Sequence, residues 1–261
     1  MAAPPIREIR SVQNPSFKQW RNWILDPSSR DCPCLPVEGD KQVRELLTGR
    51  RARLLVVSES RRNDWLPQRA RSSETVVVPD RLAEKLSPVR HSQGIVAFFD
   101  KPEWTWSDLT NSVVYADGLQ DPGNLGTIVR TAAATGLFSV VTAPDTVSCF
   151  NDKVVRATAG YLFTVPILQH HPLPDLLRRG YALVVADSGH GHDLFSFPFR
   201  PPLAVVVGRE GGSRLEGHEG ATRLRIPMAE GVDSLNAAVA AGLIMYEALR
   251  RQLQGETWSA V

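Results

Sequence analysis

The chain has 261 residues, 43% hydrophobic and 22% charged, with a formal net charge of +2. These proportions match an ordinary globular protein of one large or two modest domains and exclude a disordered chain. The longest run of apolar residues and glycine, Ala237 to Met245, is about half of the roughly 18 residues that would indicate a membrane-spanning helix, so no membrane partner is expected. The N-terminus, Met1-Ala-Ala-Pro-Pro5, lacks the basic stretch and apolar core of a secretory signal, and the expected address is cytoplasmic. Cys32, Cys34 and Cys149 are too few for a disulfide framework and fit a reducing compartment. Cys32-Pro33-Cys34 has no second pair downstream, and His91, His170, His171, His190, His192 and His218 stand at no standard ligand spacing, so no metal is expected.

In the first third of the chain, residues 15–25 and 38–47 read as helices. Leu54–Ser58 and Thr75–Val78 read as strands, residues 81–86 as a short helix and Gly94–Phe99 as a strand. That is a small α/β domain over residues 1–100. Asp100-Lys-Pro-Glu-Trp-Thr-Trp-Ser-Asp108 interrupts the pattern with proline, charge and exposed-looking aromatics, and residues 101–110 read as a linker. Residues 1–110 carry 18 Lys+Arg against 14 Asp+Glu, and residues 111–261 carry 12 against 14. Arginine dominates the front half, in Arg50-Arg51-Ala-Arg53, Arg61-Arg62 and Arg69-Ala-Arg71. Two readings of these clusters are open: an RNA-contacting face, since a guanidinium grips phosphate with two parallel hydrogen bonds, or a solvated arginine-rich surface.

From residue 111 onward, apolar runs alternate with helical segments: Ser112–Ala116, Phe138–Thr142, Tyr161–Val165, Tyr181–Ala186 and Leu203–Val207. Near-continuous apolar strands between helices predict a parallel sheet covered on both faces, with ligands bound beyond the strands' carboxyl ends. The loops after Ala116, Val207 and Ile226 are therefore the places to seek chemistry.

After the first of these strands comes Asp117-Gly-Leu-Gln-Asp-Pro-Gly-Asn124-Leu-Gly-Thr-Ile-Val-Arg130-Thr-Ala. Its glycines fit neither G-x-G-x-x-G nor the phosphate-binding P-loop, which disfavours a nicotinamide-dependent oxidoreductase. Asn124 is a natural N-cap for a helix beginning near Leu125, and Arg130 follows among small apolar residues, where it calls for a partner: a ligand, or else a carboxylate or a subunit neighbour. Leu203-Ala-Val-Val-Val-Gly208-Arg-Glu210-Gly places a carboxylate in a glycine-flanked turn beyond a buried strand. Ile226-Pro-Met228 leads through Ser234-Leu235-Asn236 into a small-residue helix, Ala237 to about Leu253, which Ser234 can cap. The face of Ala237, Ala238, Ala240, Ala241 and Gly242 predicts close helix packing, within the fold or across a dimer.

In this order, these three segments resemble the three sequence motifs of the SpoU/TrmH family of RNA 2′-O-ribose methyltransferases, of the SPOUT superfamily. The front half, with Ile9-Arg-Ser-Val-Gln-Asn-Pro15, Val37-Glu38-Gly39 and His91-Ser-Gln-Gly94-Ile-Val-Ala97, is similar to that family's substrate-binding domain. The resemblance implies an α/β fold: a catalytic domain over residues 111–261 with a SPOUT-type parallel sheet and a deep trefoil knot, preceded by the small α/β RNA-binding domain. It implies S-adenosyl-L-methionine as cofactor, held by backbone at Gly208, Ile226 and Leu235 with Met228 lining the pocket. It implies RNA as substrate, rRNA or tRNA, and a homodimer whose active-site residues meet across subunits. Asn124, Arg130, Glu210, Ser234 and Asn236 stand at the family's functional positions, with Arg130 the principal one. Arg209 and the spacing of Gly211-Gly-Ser213 depart from the family pattern and bear on the RNA pocket. The alternative is a non-catalytic RNA-binding relative that keeps the motif residues as structure.

Overall fold

The computed structural model describes residues 5–87, 92–208 and 220–255. Glu210, Arg209, residues 211–213, His91 and His218 lie outside the described residues. The chain divides into two compact units, Met1–Pro102 with Phe150–Gly160, and Glu103–Cys149 with Tyr161–Val261.

The first unit runs β1 (Ile6–Glu8), α1 (Pro15–Leu25), β2 (Cys34–Glu38), α2 (Asp40–Gly49), β3 (Ala52–Ser58), α3 (Arg62–Trp65), β4 (Ser72–Val78), α4 (Asp80–Leu86) and β5 (Ile95–Asp100). Its sheet has the order β1-β4-β3-β5-β2. Strands β1, β4 and β3 pair in parallel, and β5 pairs antiparallel with β3 on one side and β2 on the other. Helix α1 starts where expected because the Asn14 side chain accepts the Ser16 N–H and Pro15 fills the first turn. Phe17, Trp20 and Ile24, spaced for one helix face, join the buried cluster of Val56, Val76 and Phe98. A helix from Glu38 was expected; instead Cys34–Glu38 is a strand and α2 starts at Asp40. Strand β2 carries a weak strand signal because it contains Pro36, which an edge strand tolerates since one row of its N–H groups needs no ladder partner.

Five of the clustered arginines are spent inside this unit. Arg51 donates to the carbonyls of Ala70 and Ser72, and Arg71 to that of Leu47. Arg53 pairs with Asp100, Arg62 with Glu8, and Arg61 with both Asp40 and Asp64. Their first role is to tie strands and turns together, which narrows the case for an open phosphate-gripping face.

The second half of the chain runs β6 (Ser112–Asp117), α5 (Pro122–Thr135), β7 (Phe138–Thr142), α6 (Asp152–Ala157, within the first unit), β8 (Ile167–Leu168), α7 (Pro174–Leu177), β9 (Ala182–Asp187), β10 (His192–Asp193), β11 (Leu203–Gly208), β12 (Thr222–Arg225) and α8 (Ala237–Leu253). The seven-stranded sheet has the order β10-β12-β9-β11-β6-β7-β8, with every pair parallel. Tyr161–Val165 was expected to be a strand and is not. Ala159 and Gly160 turn the backbone at φ 49° and 90°, and Tyr161–Phe163 closes a 3-10 turn whose Tyr161 carbonyl accepts from Thr164 and Val165. The β-branched and aromatic run is satisfied there by burying Leu162 and Phe163 rather than by a ladder. Trp104 and Trp106 are also not exposed: both pack on the cluster of Val113, Tyr115 and Leu173, and the Arg179 guanidinium lies 3.9 Å from the Trp106 ring centre.

Strand β12 occupies the slot between β9 and β10, which residues 188–191 alone connect. The connection crosses directly over β12, since a Cβ on Gly191 would stand 2.4 Å from the Arg223 carbonyl oxygen. Only glycine permits that approach.

Helix α8 is fixed through Glu247, which is 7% exposed. Its carboxylate accepts from Arg250 Nε at 2.8 Å and Arg251 Nε at 2.9 Å, and Arg251 also reaches the Phe195 carbonyl. The hydrogen bonds from Arg250 and then Arg251 hold the Glu247 carboxyl below its ordinary value of 4.5. Replacing Glu247 by Ala is expected to cost about 2 kcal/mol in urea unfolding at neutral pH, because a mostly buried guanidinium loses its partner. A depressed native pKa contributes stability above the unfolded value, so this difference should shrink as pH falls below about 4.5 and through the native pKa.

Candidate active site

Strand β6 lies between β7 and β11, so the chain leaves it in one direction through β7 and β8 and returns on its other side. Such a reversal opens a crevice at the carboxyl edge of a parallel sheet. Segments 118–121 after β6 and 226–236 after β12 leave from this edge, and β11 ends there at Gly208. Gly208 ends β11 opposite Asp117, and a Cβ on it would lie 2.7 Å from the Asp117 carbonyl oxygen. The 118–120 turn is braced from the far side, with Gly118 N–H on Thr146 Oγ1, Val147 N–H on the Leu119 carbonyl and the Gln120 amide on the Asp145 carbonyl.

Helix α5 begins at Pro122 and not near Leu125. Its N-cap is Asp121, whose Oδ1 accepts the Asn124 N–H at 2.9 Å, with Pro122 in the first turn. Asn124 is therefore within the helix, and its side chain is released from capping. Leu125, Ile128, Val129 and Ala132 are buried, while Gly123, Thr127, Arg130 and Ala134 form the exposed stripe. Among the described residues Arg130 has no hydrogen bond or ion pair, so the carboxylate partner weighed from the sequence is not found there. The side chains beside it on the stripe are short, and side chains on a helix tilt toward its N-terminus, here the carboxyl edge of the sheet.

Asn236, and not Ser234, caps α8: its Oδ1 accepts from Ala238 N–H at 2.9 Å and Val239 N–H at 3.3 Å. The other end of the same amide donates to Asn124 Oδ1 at 2.9 Å. This bond joins the first and third segments, and farther along the same helix pair a Cβ on Gly242 would lie 3.8 Å from Thr131 Cγ2, in ordinary contact. Ser234 is exposed; Ile226 is buried, and Met228 and Leu235 are half-buried. Among the described residues the backbone N–H and C=O groups of Ile226, Met228 and Leu235 make no backbone hydrogen bond to one another or elsewhere. Half-buried apolar side chains beside unspent backbone donors and acceptors suit a flat heteroaromatic ring with a hydrogen-bonding edge. The structure thus brings Asn124 and Asn236 together, sets Gly208 and 226–236 at the same sheet edge, and keeps Arg130 unengaged.

The SpoU rRNA methylase family model matches residues 111–246. The chain belongs to this family. A tRNA/rRNA methyltransferase of Synechocystis, itself uncharacterized, is 31% identical over 97% of this chain and 97% of its own. The 23S rRNA (guanosine(2553)-2′-O)-methyltransferase RlmP of Bacillus subtilis is 28% identical over 92% of this chain and 98% of its own. The crystal structure of an AdoMet-bound rRNA methyltransferase from Sinorhizobium meliloti superposes with a TM-score of 0.82 at 27% identity, covering 95% of this chain and 98% of that one.

The sequence reading missed Asp121 as the cap, although Asp followed by Pro is a helix-start signal in its own right. It could not see the Asn124–Asn236 bond, which spans 112 positions. Asn236→Ala is expected to lower stability by about 1–2 kcal/mol, through the lost cap and the lost amide bond. Asn124→Ala, which leaves both α8 cap bonds intact, should cost about half as much, both measured by chemical denaturation.

Proposed function

We propose that this chain transfers a methyl group from S-adenosyl-L-methionine to a ribose 2′-hydroxyl of ribosomal or transfer RNA. The observation that carries the reading is the convergence of the family's motif segments on one sheet edge, locked by Asn236 and Asn124, with an uncommitted arginine on the adjoining helix. The sulfonium of the donor supplies an activated methyl, so no metal is required. Backbone at Gly208, Ile226 and Leu235 holds the adenine and ribose, with Met228 lining the cavity. Asn124 and Asn236 fix the start of α5 against the start of α8, so that the cofactor-binding loop and the arginine-bearing helix keep one relative position. Ser234 and Glu210 complete the proposed set, Glu210 standing two positions beyond the end of β11 in the sequence.

Catalysis in this reading is largely positioning: the attacking oxygen is held in line at about 3–3.5 Å from the methyl carbon. The O–C bond would form as the S–C bond breaks, the donor leaving as its neutral thioether and the hydroxyl proton passing to water. A guanidinium stays protonated and is a poor acceptor for that proton. Arg130 instead grips a substrate phosphate and steadies negative charge developing on the attacking oxygen.

The proposal extends to the deep trefoil knot, supported by the passage of β12 beneath the 188–191 connection. It extends to a cytoplasmic homodimer as well. Val239, Leu243, Tyr246 and Leu253 recur at 4, 3 and 7 residues along one side of α8 and are all exposed. The opposite side, with Ala238, Ala241 and Ile244, is buried within the unit.

Arg130→Ala should reduce methyl transfer to RNA by about 10²–10³-fold while leaving S-adenosyl-L-methionine binding by calorimetry unchanged. Unaltered transfer defeats the role given to this side chain. Leu243→Glu combined with Tyr246→Glu should sediment as a 28.8 kDa monomer where the parent chain sediments at twice that mass.

A further inference from the structure

One of the front-domain segments that resemble a substrate-binding domain, at Ser92-Gln93-Gly94, lines a small cavity of about 270 Å³ whose other walls include Ser58, Ser60, Arg61, Asp80 and Glu84. It opens at the carboxyl ends of the parallel strands β3 and β4, the edge at which open α/β sheets bind ligands. Each wall is held by its neighbours. Gly94 sits at φ +73°, and a Cβ there would lie 2.4 Å from Ser58 Oγ, so the β5 entry can approach β3 only without a side chain. Gln93 Oε1 accepts the Asp40 N–H at 2.8 Å, which leaves its amide nitrogen as the end able to donate outward. Arg61 is fixed by Asp64 at 2.8 Å, by the Gln93 carbonyl at 3.1 Å and by Asp40. Ser60 gives both its N–H, at 3.2 Å, and its hydroxyl, at 2.7 Å, to the same oxygen of Asp80, Oδ1. These bonds hold the Asp80 carboxyl below its ordinary range, so it is an acceptor at neutral pH.

The chemistry of the lining selects the ligand. Arg61 in the wall is already paired with Asp40 and Asp64, so the two exposed carboxylates of Asp80 and Glu84 disfavour phosphate and ask for adjacent donors. The lining is polar apart from Ala83, so recognition is by a hydrogen-bonding edge and not by apolar contact. Among nucleobases, guanine alone presents two neighbouring donors, N1–H and the N2 amine, next to an acceptor, O6. We propose that this cavity is a subsite for a single unstacked guanine of the RNA, with Asp80 and Glu84 accepting from N1–H and the N2 amine and Gln93 donating to O6. The proposal rests on RNA being the substrate, and it gives the front domain a base-reading role in addition to a charge role. Single-stranded segments of RNA offer such splayed bases, read on their Watson–Crick edges.

The test is fluorescence anisotropy of labelled five-nucleotide RNAs with the full chain. The oligomer UUGUU should bind about tenfold more tightly than UUUUU or UUAUU, and substitution of inosine for guanine, which deletes the N2 amine, should abolish most of that preference. Asp80→Asn, which keeps an oxygen for Ser60, and Glu84→Gln, at an exposed helix position, should each erase the guanine preference while retaining S-adenosyl-L-methionine binding. Equal affinity for all four oligomers, or variants with an undiminished preference, overturns the proposal. A preference for a small amine such as spermidine over every oligomer overturns it equally, in favour of a cation pocket. Methyl transfer to total RNA is measured in parallel: transfer without guanine preference sinks the subsite alone, and absence of transfer by the unaltered chain sinks the enzymatic reading alone.

Discussion

One side-chain amide holds the second unit's site in register. Asn236 spends its oxygen on the first turn of α8 and its nitrogen on Asn124, inside the first turn of α5. Both helices start at the carboxyl edge of the sheet, so a single residue ties the segment after β12 to the segment after β6. Without it, α8 loses its cap and the position of α5 rests on the packing of the buried faces of the two helices. Small residues permit that packing, but they do not specify register along the helix axis, because Ala and Gly surfaces have few ridges to interlock. A directional hydrogen bond supplies the missing specification.

The two units use the same architectural feature for different chemistry. Each presents a cavity or crevice at the carboxyl ends of parallel strands. In the second unit Ile226, Met228 and Leu235 set buried or half-buried apolar side chains beside unspent backbone groups, suited to a cofactor of the SpoU family. In the first it is carboxylates, hydroxyls and an amide around Ser58 and Asp80, suited to a donor-rich base edge. The arginines of the first unit largely brace this frame. Arg61 alone joins Asp40, Asp64 and the Gln93 carbonyl, and so connects α2, α3 and the entry to β5.

Much of this was legible in the chain itself. The helix at Pro15–Leu25, the strand at Phe138–Thr142 and the last helix at Ala237–Leu253 coincide with the sequence reading, because each carries a strong local signal: a cap with proline, a β-branched run, or a long run of good helix formers. The order of the three motif segments named the family. Errors fell where tertiary context overrode local pattern. Tyr161–Val165 has strand composition, yet two positive-φ residues just before it, Ala159 and Gly160, send it into a buried turn. Pro36 disguised an edge strand, and Asn124 and Ser234 lost their expected capping roles to Asp121 and Asn236, each a short polar residue a few positions away.

Sequence alone therefore determined which residue types are available and which elements form, since periodicity, capping and strand propensity act over a few residues. Only the tertiary structure decided which of those residues meet. The amide bridge across 112 positions, the passage of β12 under Gly191, and the gathering of Ser58, Asp80 and Gln93 round one cavity arise from strand order in the two sheets. Strand order is set by burying apolar surface from the whole chain at once, and no local window of sequence records it.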